Sequence, residues 1–281
     1  MDRTKWNAFP HASPAYDYAG AKLKKNWDRL HCGDREPFPD ESWIAAMVSR
    51  HPALKSKAAH SASILQDAWR AYHRGDFGQA VELGDSLGPL GAAVAGKAAN
   101  IYASYLEPDA KRQLAIFQDS AARCEALSKG APDYANAHYF AAQALGRYSQ
   151  GLSIMTALAQ GIGGRILKAL NAAVALEPAH ADAHIGLGVY HAEVINKVGS
   201  VVGGLTYGAS KDAAVSHFET ALKLNPSSAI ARIEYANALV MLFGKSKLDA
   251  ATKLYRQAAA CDPADAMERL DVEAAKAELD D

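Results

Sequence analysis

Three stretches of the chain align on one another: ILKALNAAV at 166–174, AVSHFETAL at 214–222 and ATKLYRQAA at 251–259. Each places a large residue, Leu170, Phe218 or Tyr255, three positions before a small one, Ala173, Ala221 or Ala258. A proline follows five residues after that alanine, at Pro178, Pro226 and Pro263, and Pro132 ends an earlier segment in the same way, so the four prolines lie 46, 48 and 37 residues apart. Residues three apart share a helix face, so each stretch reads as a helix carrying a bulky side chain beside a notch. Proline stops it. Beyond the prolines a second kind of helix recurs, as His138-Tyr139-Phe140-Ala141-Ala142, His184-Ile185-Gly186-Leu187-Gly188 and Arg232-Ile233-Glu234-Tyr235-Ala236. Its small residue, Ala142, Gly188 or Ala236, falls where a neighbouring helix must cross closely. Self-similarity at this period predicts an all-α solenoid of antiparallel helix pairs, with Leu170, Phe218 and Tyr255 as buried plugs and Gly188 at a crossing.

From about residue 110 onward the pattern resembles the tetratricopeptide family. Upstream, Gly75-Asp76-Phe77-Gly78-Gln79-Ala80 matches that family's turn between its two helices, and Pro89 follows the second. Earlier still, Ser13-Pro14 reads as a helix start, with Tyr16, Ala19, Leu23, Trp27 and Leu30 at helical spacing until Gly33. Asp40-Glu41-Ser42 starts a partner helix ending near Pro52. The expectation is a single solenoid domain of about six degenerate repeats plus a C-terminal helix over 264–279. Residues 1–110 hold the degenerate repeats and 111–281 the clearer ones.

Two repeats are too long. From the small residue of one helix to the start of the next, the standard unit has about twelve residues, whereas Ala142 to Ile166 spans 24 and Gly188 to Ala214 spans 26. The extra segments, near 147–164 and 195–210, are apolar and glycine-rich. Left in water they would be costly, so they are expected to pack on each other or to close a cavity near Met155 and Val202. Leu145-Gly146-Arg147-Tyr148-Ser149, the long connections, His184 with Leu187-Gly188, Tyr190 and Glu193, and Leu224-Asn225-Pro226 together resemble a narrower group: tetratricopeptide-like regulators of microtubule dynamics and the helical partner of tripartite substrate-uptake transporters. That resemblance implies an adaptor or ligand-presenting protein and supplies no catalytic residue.

Thirty Lys and Arg against 31 Asp and Glu leave a net charge of -1, so no global field favours nucleic acid. Cys32, Cys124 and Cys261 are odd in number and form no CxxC pair, which argues against disulfides or a zinc knuckle. Cys124 and Cys261 read as core residues and Cys32 as more exposed. With no signal-like apolar stretch and no membrane-length apolar run, the chain is expected to be cytoplasmic and not to insert in a membrane.

Chemical motifs weigh little. Gly91-Ala92-Ala93-Val94-Ala95-Gly96-Lys97-Ala98 has the spacing of a phosphate loop, but Ala98 replaces the magnesium-binding hydroxyl and the segment reads as helix. His184 and His191 with Glu193 define an alternative, a metal-dependent enzyme, although His184 and His138 share a repeat position that suits packed imidazoles. No cofactor motif stands out.

The remaining candidate is the concave face. Positions that in the family point into the groove are Asn100, Asn136, Tyr139, Gln143, Arg147, Asp182, Ile185 and Asn237. Amide, phenol and guanidinium groups suit recognition of main chain or carboxylate. The sequence therefore points to a non-enzymatic binding or adaptor protein. Its partner is expected to be a protein or peptide segment, with a small apolar or anionic ligand under the insertions as the other possibility. Arg147 is expected either to clamp an anionic group or to pair with an acid such as Glu193.

Overall fold

Short polar side chains set several of the helix starts. Asp40, Asp109, Ser153, Ser210 and Ser228 each accept from the backbone N–H three residues on, at 2.8 to 3.1 Å, which satisfies one of the orphan donors of a helix N-terminus. The computed structural model describes residues 6–280, and every regular element among them is helical. The α-helices are α1 (Lys22–Leu30), α2 (Glu41–Arg50), α3 (Ala58–Arg74), α4 (Phe77–Ser86), α5 (Ala92–Tyr105), α6 (Ala110–Gly130) and α7 (Ala135–Gln150). There follow α8 (Ile154–Ala159), α9 (Ile162–Leu176), α10 (Ala181–Tyr207), α11 (Lys211–Leu224), α12 (Ala229–Phe243), α13 (Leu248–Ala259) and α14 (Ala266–Asp280).

From α3 to α13 the helices pack in sequence as pairs, α3 with α4, α5 with α6, α7 with α9, α10 with α11 and α12 with α13, and α14 packs on α12 and α13. The prolines at 132, 178 and 226 sit in the turns between pairs, and each turn is finished alike. His138 Nε2 lies 2.9 Å from the Pro132 carbonyl, His184 Nε2 3.4 Å from that of Pro178, and Arg232 donates to that of Pro226 at 2.7 Å. A side chain six residues on thus caps an otherwise unpaired carbonyl.

Notches and knobs meet as the pattern requires. A methyl group added at Gly188 would lie 2.7 Å from the Phe218 ring, and one at Gly186 would lie 2.7 Å from Leu170 Cδ2. Leu170 and Phe218 are buried. Tyr255 departs from the expectation: it is half-buried, and its hydroxyl donates to Asn237 at 2.6 Å. Beyond α13 the single helix α14 packs, and Tyr255 lies at the edge of the cluster formed with Val272 and Ala275.

The N-terminal region also differs. Ser13 caps only a short 3₁₀ turn at Pro14–Tyr16, because Asp17 is extended and Gly20 takes a left-handed φ of 56° that breaks the run before α1. Then α1 and α2 do not form a further pair. Trp27 on α1 packs edge-on against Trp69 of α3 and Phe38, so the segment crosses the inner face of the solenoid. At its far end Arg50 and His51 meet Asp133 at 2.6 Å each. α14 closes toward α3, where His73 Nδ1 meets Asp265 at 2.7 Å.

Candidate functional site

Residues 29–36 occupy the concave face as a ligand would. Asp34 is fully buried, with Lys97 Nζ of α5 at 2.6 Å from one carboxylate oxygen and His31 Nδ1 at 2.8 Å from the other. Burial opposes the charge of Asp34, but Lys97 and His31 together outweigh it and hold the carboxyl well below its usual range. Burial pushes His31 down to about 4, so it is a neutral donor. Asp182 at the start of α10 donates its backbone N–H to the Gly33 carbonyl at 3.0 Å.

A second set of bonds fixes Asn136. The ring nitrogen Nδ1 of His180 accepts from the Ala183 N–H at 3.1 Å, which puts the proton on Nε2, 2.8 Å from Asn136 Oδ1. The amide nitrogen of Asn136 then donates to the Asp34 carbonyl at 3.0 Å and to Glu36 at 2.6 Å. Tyr134 donates to the other Glu36 oxygen. Burial, with the nearby Asp34 charge, pushes Glu36 up to about 8.

Beside this plug lies a cavity of roughly 290 Å³. Its walls come from α5, α7, α9, α10, α12 and α14, and its mouth is framed by Leu152, Ile154 and Leu158 at α8, the glycines before and at the start of α9, and Val198 and Tyr207 on α10. α10 reaches this far because it continues past a kink at Gly199, whose φ of 80° and ψ of 161° suit glycine alone. The insertions therefore border a cavity, as one of the sequence expectations had it, but do not seal it. Met155 and Val202 turn outward, and Met155, Val201 and Leu205 are 76%, 73% and 87% exposed.

Of the groove residues named from sequence, Tyr139, Gln143, Arg147, Asp182 and Ile185 line this cavity. Asn100 sits behind it and donates to Gln143 at 2.9 Å. Asn136 is consumed by the N-terminal segment, and Asn237 is exposed on the outside against Tyr255. Arg147 pairs with Glu234 at 2.8 Å, not with Glu193, whose partner is Lys197 at 3.0 Å. Lys97, Tyr105 and Asp271 also line the cavity, and no motif announced Tyr105 or Asp271. The Lys97 signal was present in the phosphate-loop decoy: the segment is helical, as expected, and its lysine is held by Asp34. We expect Arg147→Ala to cost about 1.5–3 kcal/mol in urea unfolding, since it strips a half-enclosed Glu234 of its cation. A loss under about 0.5 kcal/mol would mark the pair as a surface contact.

The reading of Cys261 as a core residue needs correction. Cys261 is half-exposed just beyond α13, where the chain has left the packed face, whereas Cys124 is buried. Cys32 is half-buried, 3.6 Å from the Leu224 carbonyl. His184 meets His217 at 2.9 Å, and His217 stacks on His191 at 5.7 Å. These rings pack on one another instead of converging with Glu193, and among the described residues no three metal-ligating side chains are placed to hold an ion.

Asp182 carries no side-chain hydrogen bond among the described residues, and burial, then the Asp34 charge, raise it from 3.8 to about 7 against the opposing pull of Lys97. A raised carboxyl favours the folded state least when ionised. The cost is full above pH about 7 and is relieved as pH falls toward the unfolded value. Asp182→Asn is therefore expected to stabilise the protein by about 1–2 kcal/mol at pH 8, less than the full linkage because the group faces the cavity, and by nothing near pH 4. Urea unfolding at the two pH values measures it, and a pH-independent gain would contradict it.

No family model matches the chain, and no curated protein matches it in sequence. Among solved structures the chain is similar to TTC0263, a thermophilic TPR protein of Thermus thermophilus, at 17% identity over 77% of this chain and 99% of that one, with a TM-score of 0.54. The MamA protein is a more distant neighbour, at 16% identity over 70% of this chain and 89% of that one, TM-score 0.40. The fold is thus a tetratricopeptide-type α-solenoid. No helix among the described residues is long and apolar enough to cross a membrane.

Proposed function

We propose that this protein is a binding protein that takes a small, largely apolar ligand into the cavity beneath its two insertions. The observation that supports this reading is the occupancy of the concave face. Residues 29–36 fill its centre, leaving a cavity of roughly 290 Å³ where an extended partner would otherwise lie. That volume is near the lower bound of small-molecule sites, about 300–1,000 Å³. The apolar residues at the mouth give the ligand's body a non-aqueous path, while the deeper polar groups supply orientation.

Prodan, a neutral fluorescent probe of apolar sites, tests the reading. Saturable emission enhancement is expected, lost in Val189→Trp, which fills the cavity from α10, and kept in Leu205→Ser, which alters only the outer rim. Thermal unfolding followed alongside confirms that the tryptophan variant is folded. The reverse pattern would place the probe on the rim and end the cavity reading.

A protein partner is the second reading, and the exposed Met155, Val201 and Leu205 favour it. Such a partner would dock on the rim and meet a loaded or empty cavity, which is how an adaptor would report its ligand.

A further inference from the structure

The charged groups around the cavity do not balance. Its lining holds three cations, Lys97, Arg147 and Lys197, and four acids, Asp182, Glu193, Glu234 and Asp271. Each cation is already paired: Lys97 with Asp34 at 2.6 Å, Arg147 with Glu234 at 2.8 Å and Lys197 with Glu193 at 3.0 Å. Among the described residues, two carboxyls, Asp182 and Asp271, are left without an ion-pair partner.

Their surroundings differ from those of a solvated acidic patch. Asp271 is 3% exposed, and among the described residues its one side-chain hydrogen bond comes from the Tyr105 hydroxyl. Burial holds it well above the ordinary carboxyl range against that bond, with the Glu268, Asp265 and Asp182 charges adding to the effect. Tyr139, 8% exposed, also lines the cavity, and among the described residues its hydroxyl has no hydrogen-bond partner. That hydroxyl opens onto the cavity, where a ligand group can pair with it. The polar end thus offers two acceptor carboxyls and a free hydroxyl below apolar walls.

We propose that the ligand is a cationic amine with an apolar body, its ammonium seated between Asp182 and Asp271 and within reach of the Tyr139 hydroxyl. The inference rests on the cavity reading above and adds the chemical class of the ligand. An ammonium has three donors, which match these acceptors one for one. A carboxylate-bearing ligand would instead meet two acids, and Arg147 could serve it only by abandoning Glu234. Because Asp182 titrates at about 7, seating an ammonium drives its carboxyl to the ionised form. The proton on its oxygen leaves to the buffer, and the new carboxylate neutralises the ammonium, so the site gains no net charge.

Calorimetric titration of the full chain with octylamine, octanol and octanoate separates the cases, since the three share a tail and differ in head group. At pH 8 octylamine is expected to bind at least about tenfold tighter than octanol, and octanoate weakest of all. At pH 7 octylamine should also release protons, read as a heat that differs between two buffers of unlike ionisation enthalpy. Asp182→Asn and, separately, Asp271→Asn should each weaken octylamine about tenfold and leave octanol within about twofold. Octanol binding as tightly as octylamine, or octanoate binding tighter, would overturn the amine while the cavity stands. Binding by none of the three, together with a failed prodan titration, would overturn both.

Discussion

Replacing Lys97 by methionine is expected to cost about 3–5 kcal/mol of stability, because it leaves Asp34 charged and buried with only a neutral histidine beside it. The Lys97 ammonium is 4% exposed, lies 5.0 Å from the Tyr72 ring centre, and makes a 2.6 Å bond to the carboxylate. None of these contacts survives the change. The loss should be local at first, freeing residues 29–36 from α5 and α7, so limited proteolysis between α1 and α2 should accelerate before global unfolding. Lys97→Met combined with Asp34→Leu removes both charges and should recover most of the stability, as well-packed apolar replacements of buried ion pairs do. If urea unfolding shows the single variant within about 1 kcal/mol of the parent, the pair does not hold the segment in place.

The second large effect is at Phe218. Phe218→Ala should cost about 3–5 kcal/mol, since the ring is fully buried and stacks on Tyr235 at 5.1 Å while filling the notch at Gly188. Gly188→Ala alone is expected to destabilise by about 1–3 kcal/mol through overpacking against the same ring. In the Phe218→Ala background that second change should become nearly neutral. Strict additivity in the double-mutant cycle would show that the two residues do not share a packing site.

Most of the solenoid was legible because its determinants are local. The distance from a bulky residue to its notch is fixed by helical period, and the proline marks where each helix must end, so Leu170, Phe218 and Gly188 could be placed by counting. Tyr255 obeyed the same count and still came out half-buried, because burial also depends on how the next helix, here α14, lies over the segment, which is not a property of the segment. The site was harder. Counting brought Tyr139, Gln143, Arg147, Asp182 and Ile185 to the inner face. It could not reveal that the inner face was already partly occupied: Asp34 and Glu36 stand in a stretch with no repeat register, and their partners are 63 and 100 residues away. Arg147 illustrates the same limit, its acid being 87 residues distant on α12 rather than on the neighbouring pair.

The N-terminal strap changes how the array should assemble. Stacked repeats ordinarily answer only to their neighbours, so they fray from the ends and fold piece by piece. Here the Tyr18 hydroxyl holds the Ala264 carbonyl across 246 residues, and Arg29 grips Glu268 across 239. These contacts staple the segment before α2 to the start of α14. On a ribosome the strap emerges early and has to wait for α14 before it can seat, and in a test tube the same long loop closures slow refolding relative to an open array of equal length. The chain is therefore expected to melt in one cooperative step, with hydrogen exchange at α4 and α13 slowing and quickening together.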